Sequence, residues 1–244
     1  MKMRIKGETT DWFILLGMIL LLSIGSYLRN DFWNSELELW KDCVKKSPQK
    51  ERTHHNLGFA YYELERWEEA KKELEEALRL NPHYSLSMYN LGLIFYRKGL
   101  LDEAILYYQK AIETDPTFPE SYYNLGLAYY QRGLYRDSIK TYKKFFEFKP
   151  DYKNAHLNLG LAYQKLNRQE KAIQSFQEEL IYHPENFDAH VYLGDIFMEI
   201  KKYSKALFHF KKALTNPKLS DGERIQKAIS SIEAGKGMRG EEHW

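Results

Sequence analysis

The chain has 244 residues, with 36 basic and 34 acidic side chains and a formal net charge of +2. That near-balance argues against a dedicated nucleic-acid binder, which carries a marked basic excess. The 19 Tyr and 13 Phe argue against disorder, because they give the chain ample apolar area to bury. A single cysteine, Cys43, excludes an intramolecular disulfide framework, a cysteine-rich zinc site and a CxxCH haem attachment.

Residues 1–11 form a basic N-terminus with Lys2, Arg4 and Lys6. Trp12 to Leu28 (WFILLGMILLLSIGSYL) carries no charge. As a helix rising about 1.5 Å per residue it spans roughly 25 Å, at the short end for a bilayer core. Trp12 and Tyr27 sit near its ends, where amphipathic rings favour the interface. Residues 12–28 therefore read as a membrane anchor. A cleaved signal peptide, with a weak small-x-small site at Ser23-Ile24-Gly25, is the alternative. Positive charge stays cytoplasmic, so the expected location is single-pass membrane, with the larger part of the chain outside the cytoplasm (periplasmic in a bacterium).

Residues 29–50 hold a linker and a helical stretch, Glu36 to Val44, that ends at Pro48. From there the chain is periodic. Prolines stand at 48, 82, 116, 150 and 184, always 34 residues apart, and Pro217 comes one residue early. Leu57, Leu91, Leu125, Leu159 and Leu193 keep the same beat, each followed by glycine. A ring follows each glycine by three residues: Tyr61, Phe95, Tyr129, Tyr163 and Phe197. Next come a small column (Ala70, Ala104, Ser138, Ala172, Ala206) and a large apolar one (Leu74, Tyr108, Tyr142, Phe176, Phe210).

Apolar residues at i, i+3, i+4 and i+7 mark amphipathic helices. Each period predicts two, separated near Arg66, Gly99, Gly133, Asn167 and Lys202. A glycine inside a helix costs about 1 kcal/mol against alanine. Five in register therefore demand a packing reason, the close approach of a neighbouring helix. The units are 51–84, 85–118, 119–152, 153–186 and 187–218. Glu36 to Val44 matches the second half of a truncated preceding unit, with Trp40 in the large apolar column. Cys43 falls in a small column and is expected to be a buried packing residue. At the other end Ser220-Asp221-Gly222-Glu223 reads as a capping box. It opens a capping helix (219–235) stopped by Gly235, with a loose tail over 236–244.

These columns resemble the tetratricopeptide repeat (TPR) family, whose motif N-L-G-x-x-Y … A-x-x-x-[FYL] … P runs from Asn90-Leu91-Gly92 to Pro116 and recurs four more times. With the transmembrane helix read above at 12–28, the resemblance implies an all-α fold: that N-terminal helix, then a right-handed α-solenoid of helix-turn-helix units with a C-terminal capping helix. The chain departs from the family in two places. The late alanine of the second helix, kept at Ala77, Ala111 and Ala213, is replaced by Phe145 and Glu179. The early tryptophan of the first helix is replaced by His54, Met88, Tyr122, His156 and His190. The stretch from Phe32-Trp33 to Pro48, set just after a membrane helix, is similar to the TPR-tail junction of protein O-mannosyltransferase-like membrane proteins. The glycosyltransferase domain of those proteins is absent here, so no activity carries over.

No GxSxG, HExxH, P-loop or GxGxxG pattern is present. His54, His156 and His190 share one column, which puts them on different units, at least roughly 10 Å apart by helix spacing and too far to share an ion. The chain is therefore expected to be no enzyme, with no cofactor, metal, nucleic acid or small-molecule substrate.

First helices of such a solenoid line its concave face. The residues expected there are His55, Phe59 and Tyr62, then Tyr89, Asn90, Leu93 and Tyr96, then Tyr123, Asn124, Leu127 and Tyr130, then Leu157, Asn158 and Leu161. The fifth unit turns polar at Asp195. Such a groove suits an extended peptide or an amphipathic helix, with Tyr giving contact area at low entropic cost and the asparagines bonding its backbone. The alternative is that the rings only pack between helices. Chaperone-binding members of the family clamp acidic tails with Lys and Arg. Here those positions hold His55, Glu120 and Asn124, or Tyr89, Asn154 and Asn158, so acidic chaperone tails are not implied. The expected function is a membrane-anchored scaffold for a partner protein segment, as an assembly factor or subunit of a membrane or envelope complex. An accessory module of a membrane glycosyltransferase or envelope-polysaccharide system is the alternative.

Overall fold

The 34-residue beat appears in space as a repeated pair of helices. The computed structural model describes residues 36–217 and 219–238, and among them twelve helices and no strand are present. They are α1 (Glu36–Lys46), α2 (Glu51–Glu63), α3 (Trp67–Leu80), α4 (Ser85–Arg97), α5 (Leu101–Thr114) and α6 (Pro119–Gln131). Then follow α7 (Tyr135–Phe145), α8 (Ala155–Lys165), α9 (Gln169–Tyr182), α10 (Phe187–Glu199), α11 (Tyr203–Ala213) and α12 (Gly222–Met238).

Five times the same turn joins two helices. A residue with left-handed backbone closes the first: Glu65, Gly99, Gly133, Asn167 and Lys201, at φ 57°, 74°, 82°, 55° and 61°. The next amide then reaches back to a ring residue, as Arg66 N–H does to Tyr61 O and Leu134 N–H to Tyr129 O (2.9 and 2.8 Å). This double-bonded C-cap satisfies carbonyls that the helix end leaves open.

The chain divides into two compact units, residues 36–94 and 95–238 of those described, with the boundary inside α4. In the first, α1 and α3 both pack on α2, and Leu57, Leu74, Ala77, Leu91 and Ile94 are buried. In the second, each helix from α5 to α12 packs on the next, and α6 also touches α8. Its core runs through Ile139, Tyr142, Leu159, Phe176, Leu193 and Phe210 to Ile225, Ile229 and Ile232 of α12.

The in-helix glycines lie where large side chains of the second helices approach. A Cβ at Gly58 would stand 2.7 Å from Leu74 Cγ, and one at Gly126 2.9 Å from Tyr142 Cζ. At Gly160 and Gly194 it would collide with the rings of Phe176 and Phe210. The substituted tryptophan column keeps a donor in most units. His54 Nε2 bonds the carbonyl of Pro48 (3.0 Å), Tyr122 Oη donates to that of Pro116 (3.1 Å), and His156 Nε2 bonds that of Pro150 (2.8 Å). His190 likewise bonds the backbone at Pro184. Each such side chain ties the start of a first helix to the proline turn before it.

Three expectations are corrected. Gly235 does not end the capping helix, which continues to Met238. Residues 239–244 lie outside those described. Cys43 is half-buried, because among the described residues α1 packs on α2 alone and buries no residue fully. The extracytoplasmic, membrane-anchored location is not upheld: among the described residues no helix is long and apolar enough to cross a membrane. The 12–28 segment on which that location rested lies outside them.

Candidate functional site

Helix α6 buries Leu125, Gly126 and Ala128. Tyr123, Asn124, Leu127 and Tyr130 are left half-buried. Helix α8 repeats the division: Leu159, Gly160 and Ala162 are buried, while Asn158, Leu161 and Gln164 are half-buried. Leu157, expected in the groove, is 7% exposed and belongs to the core.

Tyrosines dominate this half-buried side of α6 and its neighbours. The Tyr123 ring lies 4.9 Å from Tyr152, 5.5 Å from Phe145 and 6.0 Å from Tyr142, centre to centre. Asn158 Nδ2 donates to Tyr123 Oη at 3.3 Å. The Tyr142 ring packs beneath this surface against Gly126, which has no side chain in its way. Its hydroxyl is fully buried without a well-formed hydrogen bond, although Asn158 lies close. Burial raises the hydroxyl pKa of Tyr96, Tyr123, Tyr130, Tyr142 and Tyr192, so at neutral pH all five keep their proton and can donate. For Tyr130, nearby Tyr135 and Tyr192 add to the effect.

The α10 end differs in chemistry. Tyr192 stacks on Phe176 at 5.4 Å. It lines a cleft of about 180 Å³ together with Asp188, Asp195, Asp221 and Arg224. Arg224 grips Asp195 through two hydrogen bonds (2.7 and 3.2 Å) and also reaches Asp221 (3.1 Å). The Asp195 hydrogen bond is the main reason its guanidinium pKa is raised.

In the first unit the expected groove residues divide. His55 is buried, bonds the Ser87 hydroxyl at 3.0 Å and meets Tyr84 edge-on at 5.0 Å. Burial, and then the charge of Arg52, lower its pKa to about 4. His55 therefore ties α2 to α4 as a neutral ring. Phe59 stacks on Tyr62 at 6.2 Å and is 37% exposed. Tyr89 and Leu93 are half-buried, and Asn90 is buried at 5%. The asparagine ladder is partly committed to the fold: Asn124 Nδ2 donates to its own helix at Glu120 O (3.1 Å), and Asn158 is held by Tyr123.

Sequence reasoning passed over Tyr142, Asp188, Tyr192 and Arg224. Two signals were available. Asp195 is a carboxylate in a column that otherwise runs Phe59, Leu93, Leu127 and Leu161, and Asp188 stands two turns before it on the same helix. Tyr142, like Tyr108, is a phenol in a column whose other members are Leu74, Phe176 and Phe210. Among the described residues no group of three or more His, Cys, Asp or Glu could hold a metal ion.

A tetratricopeptide repeat family model matches residues 55–119 and 165–221, a TPR repeat model 126–167, and a further tetratricopeptide repeat model 107–140. None of these segments includes 32–48, so the O-mannosyltransferase-like junction has no counterpart in them. No curated protein matches the chain. Among solved structures, YrrB, a TPR protein with an unusual peptide-binding site, aligns at a TM-score of 0.69 and 17% identity, over 78% of this chain and 99% of its own. MamA aligns at 0.63 and 24% identity, over 65% and 93%. MamA 41-end from Desulfovibrio magneticus RS-1 aligns at 0.65 and 22% identity, over 70% and 97%. At these identities the likeness is one of fold.

Proposed function

The chain belongs to the tetratricopeptide repeat family, and from that premise we propose that it is a non-enzymatic scaffold that holds a segment of a partner protein against the inner face of the second unit. One observation carries this reading. Tyr123, Leu127, Tyr130 and Leu161 are only half-buried although they adjoin a well-packed core. Rings and aliphatic chains left part-exposed side by side favour a polypeptide that covers them. Protonated tyrosine hydroxyls beside them supply donors for its carbonyls. The peptide-binding site of YrrB, a protein of the same fold, supports the same class of ligand. The accessory glycosylation reading rested on the 32–48 junction and has no observation in its favour.

The test is selection of displayed random peptides on the immobilised full chain, followed by titration of the selected peptides. Replacing Leu127 and Tyr130 together by alanine is expected to weaken them at least about tenfold, the loss of two partly buried apolar contacts. Undiminished binding by a variant with unchanged helical content would exclude this face.

A further inference from the structure

The aromatic face of the second unit changes character along its length, and the change specifies the ligand more narrowly. The inference rests on the groove reading above. One column runs Leu127, Leu161, Asp195; the column seven residues earlier, about two helical turns, runs Glu120, Asn154, Asp188. At the α6 end the charge is balanced, because Glu120 is paired with Lys149. At the α10 end it is not. Three carboxylates, Asp188, Asp195 and Asp221, face a cleft that holds one guanidinium, Arg224. Arg224 is already shared between Asp195 and Asp221. Asp188 is exposed and makes no ion pair among the described residues.

We propose that the occupant of this groove is a polypeptide segment of two unlike halves: an apolar half seated on α6 and α8, and a half carrying lysine or arginine seated on Asp188 and Asp195 at the α10–α12 end. Three features carry the assignment. The apolar and acidic surfaces adjoin one core, since Tyr123, Leu127, Tyr130 and Leu161 of the first and Tyr192 of the second all pack partly buried against the same cluster. The cleft, at about 180 Å³, has the volume of a side chain and is too small for a folded element. The way Arg224 engages Asp195, with two parallel hydrogen bonds, displays the geometry that a guanidinium from outside would use. The carboxylates also repel an acidic segment, so the site selects by exclusion as well as by attraction. In support, Tyr192 has its pKa raised first by burial and then by Asp188, Asp221 and Asp195, which places all three charges around one hydroxyl.

The same peptide selection on the full chain tests this, with the selected peptides resynthesised and titrated against Asp188→Lys, Asp188→Asn and Tyr130→Ala. Selected peptides are expected to carry Lys or Arg on one side of a run of apolar residues. Asp188→Asn should weaken them about threefold and Asp188→Lys about tenfold, and both effects should shrink as salt rises from low to high. Peptides without basic bias, or binding indifferent to Asp188→Lys, would overturn the inference while a loss in Tyr130→Ala leaves the groove reading standing. Binding indifferent to Tyr130→Ala would overturn both. Asp188 is exposed and unpaired, so its variants leave the fold intact and the readout interpretable.

Discussion

The chain passes from α5 to α6 and from α7 to α8 at equivalent points of successive repeats, yet the two connections differ. The first is short. Ala111 is fully buried near the end of α5, Asp115 accepts the Thr117 N–H at 3.0 Å, and α6 starts at Pro119. In the second, Phe145 stands where Ala111 does, 34 residues on. Its ring is 1% exposed and wedged among Tyr122, Tyr123, Tyr152 and Ala155. A site that takes a methyl does not take a phenyl, and α7 ends at Phe145 itself, with 11 residues against the 14 of α5. The chain then wanders to Asn154, at φ 65°, and α8 begins two residues short of the length of α6.

That delayed start leaves amides without helical partners, and the second helix of the same repeat, α9, supplies an acceptor. Glu179, again in the alanine column, is fully buried. It accepts from Asn154 N–H (2.9 Å), Leu157 N–H (3.3 Å) and Asn186 Nδ2 (2.8 Å). Its carboxyl oxygens also face a helix N-terminus, whose open amides favour acceptors. The two departures from alanine are thus one compensated change: the first opens the connection and the second closes it.

The strongest way to break this comparison is to remove the wedge. Phe145→Ala should cost about 4 kcal/mol, as large-to-small changes in a core do, measured by urea unfolding of the full chain. A cost below about 1 kcal/mol would mean that the connection recovers the short form unaided. Glu179→Ala comes next. It strips three donors of their acceptor and should cost about 2–3 kcal/mol, with Glu179→Gln costing less because one oxygen remains. The double variant Phe145→Ala/Glu179→Ala restores alanine at both positions. Its cost should fall short of the sum of the singles by at least about 1 kcal/mol. Strict additivity would show the two substitutions to be unrelated.

Much of the fold was legible because it is written on a fixed beat. The glycine column announced the close approach of second helices, and the structure shows the side chains that use it. Phe145 and Glu179 were visible as departures, but their meaning was not. Glu179 acts on amides 22 and 25 residues upstream, and only the shortened α8 leaves those amides open. His55 read as a groove residue because its column faces inward. Its partner Ser87, 32 residues away, draws it into the packing instead. The donor column at 54, 122, 156 and 190 was readable in principle, since each member follows a proline by six residues. The acidic end of the inner face depends on Asp221 and Arg224 folding back from the capping helix, which no repeat column encodes.

The finest test concerns the feature that every repeat shares. The five turns between paired helices all place one residue in the left-handed region, yet only two of them use glycine. A side chain there costs about 1 kcal/mol, less for asparagine. Lys201→Gly and Glu65→Gly should therefore each stabilise the chain by up to about 1 kcal/mol, offset in part by the greater freedom of glycine in the unfolded state. Gly133→Ala, where a Cβ would meet nothing within 4 Å but φ is 82°, should lose about 1 kcal/mol through backbone strain alone. Thermal denaturation of the three variants measures all of these. Gains at Lys201 and Glu65 matched by a loss at Gly133 would show that the regular turns are interchangeable and set by backbone conformation, unlike the α7–α8 connection, where side chains decide. A neutral Gly133→Ala would show the turn to be tolerant, and the contrast between the two kinds of connection would narrow to the packing of Phe145.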